Sequence, residues 1–424
     1  MMTTLMLAAA WTIVAAQAPA PVMTTPTECV RAVEDFRAKR QKEAPRPLTA
    51  EIMRTIDAER IAMAKECAAR FDVKTVPGSE LVSLVRLYTH AGQPDLARTA
   101  VDHGLKTLPR SARPGLLPVA ITTILRGEPK SDERNARLEK LVDELDALPE
   151  ASFDQKLAAH SSLNGYYRAD DIDAGILKHS NWIMNAAKTM TPEQRKRYGP
   201  QSVSAYRNAA QVLAGREKND EALTLLRRAL TELSDVPNVS RSVDPEIARY
   251  MLVGTSAAPI EAPVWLNAPE GTSVMPMTGN VTLLEFTAHW CGPCRESYPG
   301  INRLREKYGP QGFRVVLATR LYGYFGSERD LDARAEIARD QTYFREHHMN
   351  VPVAIGGKTP PSVREPDGTL TFTRDPNDES YRVGGIPQIH LIDKQGRIQL
   401  IMVGYDDANE DQLGSMIQKL LAEK

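Results

Sequence analysis

From residue 26 to about 250, apolar side chains recur at three- and four-residue steps. Leu81, Leu84, Val85 and Tyr88 form one such stripe. This period places the apolar positions on one face of a helix, so the stretch is expected to be helical almost throughout. Alternation with a period of two is scarce. Pro77-Gly78, Pro109 and Pro149 punctuate the segments. Residues 256–263 are rich in Ala and Pro, and 251–263 reads as a linker into a second domain. After Val264 the pattern changes. Residues 281–287 are a short apolar, β-rich run leading into a helix that reaches about Tyr308. A strand is expected over 313–319, a helix over 330–348 and a short strand over 351–355. Residues 356–379 are polar and turn-rich. Strands over 389–393 and 398–403 flank Lys394-Gln395-Gly396, and an amphipathic helix over 407–422 follows. Strand, helix, strand, then a hairpin and a helix is an α/β sheet pattern.

Two helical stretches share a spacing of small residues. In the first, Tyr88 is followed by Gly92, Ala97, Gly104-Leu105 and Pro109; in the second, Leu213 is followed by Ala222, Ala229-Leu230 and a turn near Asp235–Pro237. Residues 164–187 read as a degenerate unit between them. The small residues fall where two antiparallel helices approach closely. The pattern resembles the tetratricopeptide helix-turn-helix repeat. Stacked pairs of that kind form concave surfaces that bind peptides or partner proteins, so the resemblance implies a protein partner. The plainer reading is an irregular bundle packed against the second domain.

Composition excludes little. The chain has 424 residues, 42% apolar and 25% charged, with a net charge of −1, which offers no footprint for nucleic acid. The N-terminus stands apart. Residues 5–16 are an apolar run, and small residues continue through Ala20. This reads as a signal peptide over 1–20, with Ala16, Ala18 and Ala20 as candidate cleavage positions. Pro19 and Pro21 favour cutting after Ala16, and no Lys or Arg precedes the run. The expectation is a periplasmic or otherwise exported protein, membrane-tethered if the segment is retained. Cys29 lacks the small residues a lipidated cysteine needs before it.

There are four cysteines, in two distant pairs. Cys29 and Cys67 fall in consecutive helical segments and read either as a structural disulfide or as two buried free thiols. Cys291 and Cys294 enclose Gly292 and Pro293, directly after the strand and at the start of a helix. There the backbone N–H groups and helix dipole stabilise a Cys291 thiolate, the nucleophile of disulfide exchange. Cys294, one turn on, is placed to resolve the mixed disulfide. Pro293 sits early in the helix, where its missing N–H leaves no gap. No metal site is expected: His289, His347, His348 and His390 are not at finger-like spacing, and no second cysteine pair lies near. No cofactor is expected.

On Trp290-Cys291-Gly292-Pro293-Cys294, residues 258–424 resemble the thioredoxin superfamily, and its TlpA-like exported reductases in particular. Tyr298-Pro299 stands where the family helix kinks, Gly385-Ile386-Pro387 looks like the family's cis-proline loop, and Gly404 matches a family glycine. The resemblance implies that Pro387 presents a backbone edge to an extended substrate peptide. It also implies that Glu285, six positions before Cys291, is a buried acid exchanging protons with Cys294. Burial would raise its pKa towards the working pH. The alternative is a surface carboxylate. His289 is expected to be exposed. The domain departs from minimal thioredoxin by an insertion at about 320–381. Its aromatic segment 320–325 is a candidate border of the active site, and 356–379 is expected to be a loop, the alternative being a flap over the cysteines.

The expected architecture is therefore an all-helical, repeat-like domain over 26–250 followed by a thioredoxin-like α/β/α domain over 264–424. The expected function is thiol–disulfide oxidoreduction on protein thiols and disulfides, in the reducing direction implied by the resemblance of Gly-Pro between the cysteines to reducing members of the family. Electrons would come from a membrane-bound thiol protein. The rivals are a partner-binding helical protein with an accessory redox domain, and a thioredoxin-fold peroxide reductase.

Overall fold

The computed structural model describes residues 23–45, 48–169, 172–358, 363–364, 370–371, 374–405 and 407–423. The expected signal segment and much of the polar stretch 356–379 lie outside them. The chain divides into two compact units, 1–159 and 160–424. Among the described residues no helix is long and apolar enough to cross a membrane.

The first unit is helical: α1 (Pro26–Glu43), α2 (Ala50–Ala68), α3 (Leu81–His90), α4 (Pro94–Thr107), α5 (Leu116–Gly127), α6 (Asp132–Asp146) and the start of α7 (Phe153–Ala169). Local chemistry sets the helix starts. Thr25 caps α1 in a reciprocal box with Glu28, and Pro26 takes the first turn. Ser131 caps α6, its side chain accepting from the Arg134 amide. Cys29 and Cys67 are bridged, joining α1 to α2 across a Cα–Cα distance of 6.1 Å. Of the two readings the sequence left open, the disulfide is the one found. Gly92 adopts φ +67° and turns the chain from α3 into α4. The small residues Ala97, Ala100 and Gly104 are buried on α4, and a Cβ added at Gly104 would lie 2.6 Å from Leu116 Cδ2.

The second unit begins with the rest of α7, then α8 (Asp173–Ala187), α9 (Pro192–Gly215), α10 (Asn219–Glu232) and α11 (Val239–Tyr250). Short strands β1 (Ile260–Glu261), β2 (Val264–Leu266) and β3 (Val274–Met275) lead to β4 (Val281–Phe286) and α12 (Gly292–Tyr308). There follow β5 (Phe313–Arg320), β6 (Tyr324–Phe325), β7 (Glu328–Arg329), α13 (Ala333–Glu346) and β8 (Val353–Gly356). Then come β9 (Val363–Arg364), β10 (Leu370–Thr371), α14 (Pro376–Ser380), β11 (Gln388–Ile392), β12 (Ile398–Val403) and α15 (Asp407–Ala422).

Six strands form the central sheet in the order β12-β11-β4-β5-β8-β2. β4, β5 and β8 run parallel; β11 is antiparallel to β4. Every residue of β4 is buried, the mark of a strand covered on both faces. Leu283, Val315, Leu317 and Leu391 pack on one face with Tyr298 and Ile301 of α12, Phe344 of α13 and Leu413 of α15. Leu284, Phe286, Val316 and Ile401 pack on the other with Ile260, Met277 and Tyr381.

The segment expected as a linker is built into this unit. Gly254 N donates to Ile398 O at 2.7 Å, Ile398 N donates to Thr255 O at 3.0 Å, and Ala257 N donates to Gly396 O at 2.7 Å. Leu252 and Val253 pack against the second sheet-face core. Upstream, Gln211 of α9 donates to the Val403 carbonyl at 3.3 Å. Compactness therefore changes inside α7, well before the Ala/Pro segment. The physical reason is that backbone pairing and apolar packing hold 160–263 to the sheet, which composition alone does not reveal. β8 likewise joins the central sheet, so the stretch after β5 is not a simple surface excursion.

Candidate active site

Strand β4 ends beside the N-terminus of α12, and the chain between them carries Thr287-Ala288-His289-Trp290. Cys291 is the N-cap of α12; its Sγ accepts from the Cys294 amide at 3.2 Å, and Pro293 occupies the first turn. A sulfur at this position faces the positive end of the helix dipole. Cys291 and Cys294 are joined as a disulfide with Cα atoms 5.3 Å apart. Cys294 is fully buried and Cys291 nearly so, in a small cluster with Ala288, Tyr322 and Ile386. Trp290 is half exposed and meets Tyr322 edge-on, ring centroids 5.5 Å apart. Gly292 has open space where a Cβ would stand.

Glu285 lies near the end of β4, in register with Leu317 on β5 and Ile389 on β11. It is completely buried. The surface-carboxylate alternative therefore fails. Ser297, buried on α12, donates its hydroxyl towards both Glu285 oxygens at 3.2 and 3.3 Å and towards the Cys294 carbonyl at 2.7 Å. Burial pushes the Glu285 carboxyl up to about 8, against the smaller lowering effect of Ser297. A neutral acid thus sits one hydroxyl away from the backbone of the second cysteine.

Ile386-Pro387 is a cis peptide bond. Ile386 packs on the cysteines, while Pro387 is buried at the entrance to β11, its carbonyl accepting from the Gly404 amide at 2.8 Å. Gly404 has φ +91°. A cleft of about 300 Å³ opens between Trp290, Tyr322 and Ile386. Its charged wall is the Arg320–Asp378 ion pair at 2.8 Å. Burial raises the Asp378 carboxyl to about 6, with Arg320 opposing.

His289 departs from expectation. It is 7% exposed, stacks on Phe325 with centroids 4.6 Å apart, meets Tyr322 and Tyr324 edge-on, and faces Asp340 of α13 at 3.6 Å. The aromatic segment after β5 folds over it and removes it from solvent. Sequence reasoning also misses Glu336, whose two oxygens accept from the Tyr322 and Gly323 amides at 2.6 and 2.7 Å. The available signal is the four-residue spacing of Glu336 and Asp340, which puts two carboxylates on one helix face.

A thioredoxin-like domain carrying a Cys-x-x-Cys disulfide at a helix N-terminus is the class that this fold and site define. Over 144 residues the chain is 26% identical to the thiol-disulfide oxidoreductase ResA of Bacillus cereus, covering 34% of this chain and 65% of that protein. It is 27% identical over 135 residues to the thioredoxin-like protein YneN of Bacillus subtilis, covering 32% of this chain and 63% of that protein. The chain thus spans less than two thirds of these relatives' length. No family model matches it. A solved structure described as a putative thiol:disulfide interchange protein DsbE from Chlorobium tepidum is 28% identical and covers 40% of this chain and 98% of its own; the TM-score of 0.29 is too low to bear on function.

Proposed function

We propose that this protein is an exported thiol–disulfide oxidoreductase that reduces disulfides in protein substrates. The observation that carries the reading is the Cys291–Cys294 disulfide at the α12 N-terminus with the buried acid Glu285 reaching its backbone through Ser297. In the reduced protein the Cys291 thiolate attacks one sulfur of a substrate disulfide. A Cys291–substrate bond forms, the substrate S–S bond breaks, and the first substrate sulfur leaves as a thiolate. In the fraction of molecules whose Glu285 is ionised, which grows as pH rises towards about 8, Cys294 then gives its proton to that carboxylate and attacks Cys291 Sγ. The Cys291–Cys294 bond closes and the second substrate thiolate departs, to be protonated. Two electrons have passed to the substrate, and a thiol donor, in this reading a membrane-bound thiol protein, restores the dithiol.

The cleft beside Trp290 and Ile386 offers a place for an extended peptide along the backbone at Pro387. The helix pair α3–α4 of the first unit and the pair α9–α10 of the second, tetratricopeptide-like in their small-residue spacing, would hold a protein partner. Residues 1–20 would act as the export signal, retained as a tether or removed.

Turnover of an insulin-like disulfide substrate by the purified full chain, compared with Cys291→Ser, tests the reading. Loss of turnover in the variant is expected. Equal, slow turnover by both would overturn it. Cys294→Ala should accumulate substrate covalently on Cys291, whereas purely non-covalent capture would favour a binding protein.

A further inference from the structure

We propose that His289, Glu336 and Asp340 form a binding site for a borderline divalent cation of the Zn²⁺ class, tying α13 to the loop that enters the cysteine motif. The three side chains converge from separate stretches of chain. A ring nitrogen of His289 and one carboxylate oxygen from each acid lie within 4.8 Å of one another. All three are withdrawn from water, at 7%, 1% and 2% exposure.

Charge favours a cation here. Two carboxylates and one imidazole share an enclosed space. Ionised, they carry a net negative charge even with a protonated histidine, and an uncompensated buried charge is strongly unfavourable. A divalent cation with a neutral imidazole removes that imbalance. The donor set of one nitrogen and two carboxylate oxygens suits Zn²⁺ and its first-row neighbours, and leaves a position open.

Geometry points the same way independently. Asp340 Oδ1 stands 3.6 Å from His289 Nδ1. That is longer than a hydrogen bond. It fits the edge between two ligands of a tetrahedral ion, which bonds of about 2.1 Å place roughly 3.4 Å apart. Among the described residues the Asp340 carboxylate meets no donor but His289, and His289 Nε2 is buried without a partner. The imidazole is enclosed with one nitrogen unsatisfied by protein, as at a site built for another atom. Glu336 is oriented instead: the amides of Tyr322 and Gly323 hold its two oxygens, and each oxygen keeps a lone pair for an ion.

The test uses the oxidised full chain, in which the Cys291–Cys294 disulfide withholds both thiols from the metal. After chelator treatment and dialysis, Zn²⁺ is titrated by calorimetry and the bound metal counted by elemental analysis. One equivalent is expected, with a dissociation constant in the micromolar range or below. Asp340→Asn, which keeps size and shape, should weaken it by about 10–100-fold, and His289→Ala should abolish it. Absence of binding, or binding that Asp340→Asn leaves unchanged, would overturn the proposal. If His289→Ala fails to fold, judged by circular dichroism, Asp340→Asn decides alone. Binding is read without turnover, so a negative result here leaves the oxidoreductase reading intact, and the reverse.

Discussion

Ser297 Oγ stands 3.2 Å from Glu285 Oε2 and 2.7 Å from the carbonyl oxygen of Cys294, so one buried hydroxyl on α12 touches both the acid and the second cysteine. This contact sets the expected behaviour of Glu285 and of Ser297, while the helical unit offers two tests of its own packing.

Glu285 holds its proton to about pH 8 when folded, whereas an unfolded glutamic acid titrates near 4.3. Between these values the folded state binds more protons than the unfolded state, so stability falls as pH rises through that window and levels off above about 8. Glu285→Gln removes this dependence. Relative to wild type, the variant should gain stability from pH 5 to pH 8, by up to a few kcal/mol, in urea unfolding followed across pH. Its disulfide reduction should be slower by about 10²-fold or more if the carboxylate serves as the base for Cys294. A variant with an unchanged stability profile would mean that Glu285 does not titrate as placed.

Ser297→Ala deletes the donor that lowers the Glu285 pKa, while burial remains. The Glu285 transition should therefore move above 8. The alkaline-going limb of the rate–pH profile should shift in the same direction, with the Cys291 limb unmoved. A shift to lower pH would show that Ser297 is not the group opposing burial.

Gly104→Ala would put a methyl 2.6 Å from Leu116 Cδ2 and 3.4 Å from Leu81 Cδ1. Overpacking of about 1–3 kcal/mol outweighs the ~1 kcal/mol that alanine adds to helix propensity. The expected result is a lower Tm for the first unit. Combined with Leu116→Ala the penalty should be much less than additive, because the flexible δ carbon is the atom that must move.

Cys29→Ala with Cys67→Ala opens a disulfide whose ends are 38 residues apart in sequence. Loop-closure entropy puts the loss at about 3–4 kcal/mol, visible as a lower denaturation midpoint in chemical unfolding. Wild type treated with a strong reductant should move towards the same midpoint. Turnover at Cys291 in the folded double variant should be unchanged.

Much of this molecule is legible along the chain, because period and spacing are local properties. The three- and four-residue steps mark the helical stretch from α1 to α11, and the apolar run before Trp290 marks β4. Two residues between Cys291 and Cys294 at a strand–helix junction place the sulfurs on a helix N-terminus. Glu285 is readable as buried because Leu283, Leu284 and Phe286 surround it in sequence. Partners brought together by the fold are not readable in that way. His289 reads as exposed until the segment around Tyr322 and Phe325 closes over it. Its contact with Asp340 joins residues 51 positions apart on different elements. The segment 251–263 has a linker's composition, yet its amides are bonded to the β-hairpin of β11 and β12. Hydrophobic period and motif spacing are set by neighbours in sequence; burial, pKa and ion-binding geometry depend on neighbours in space.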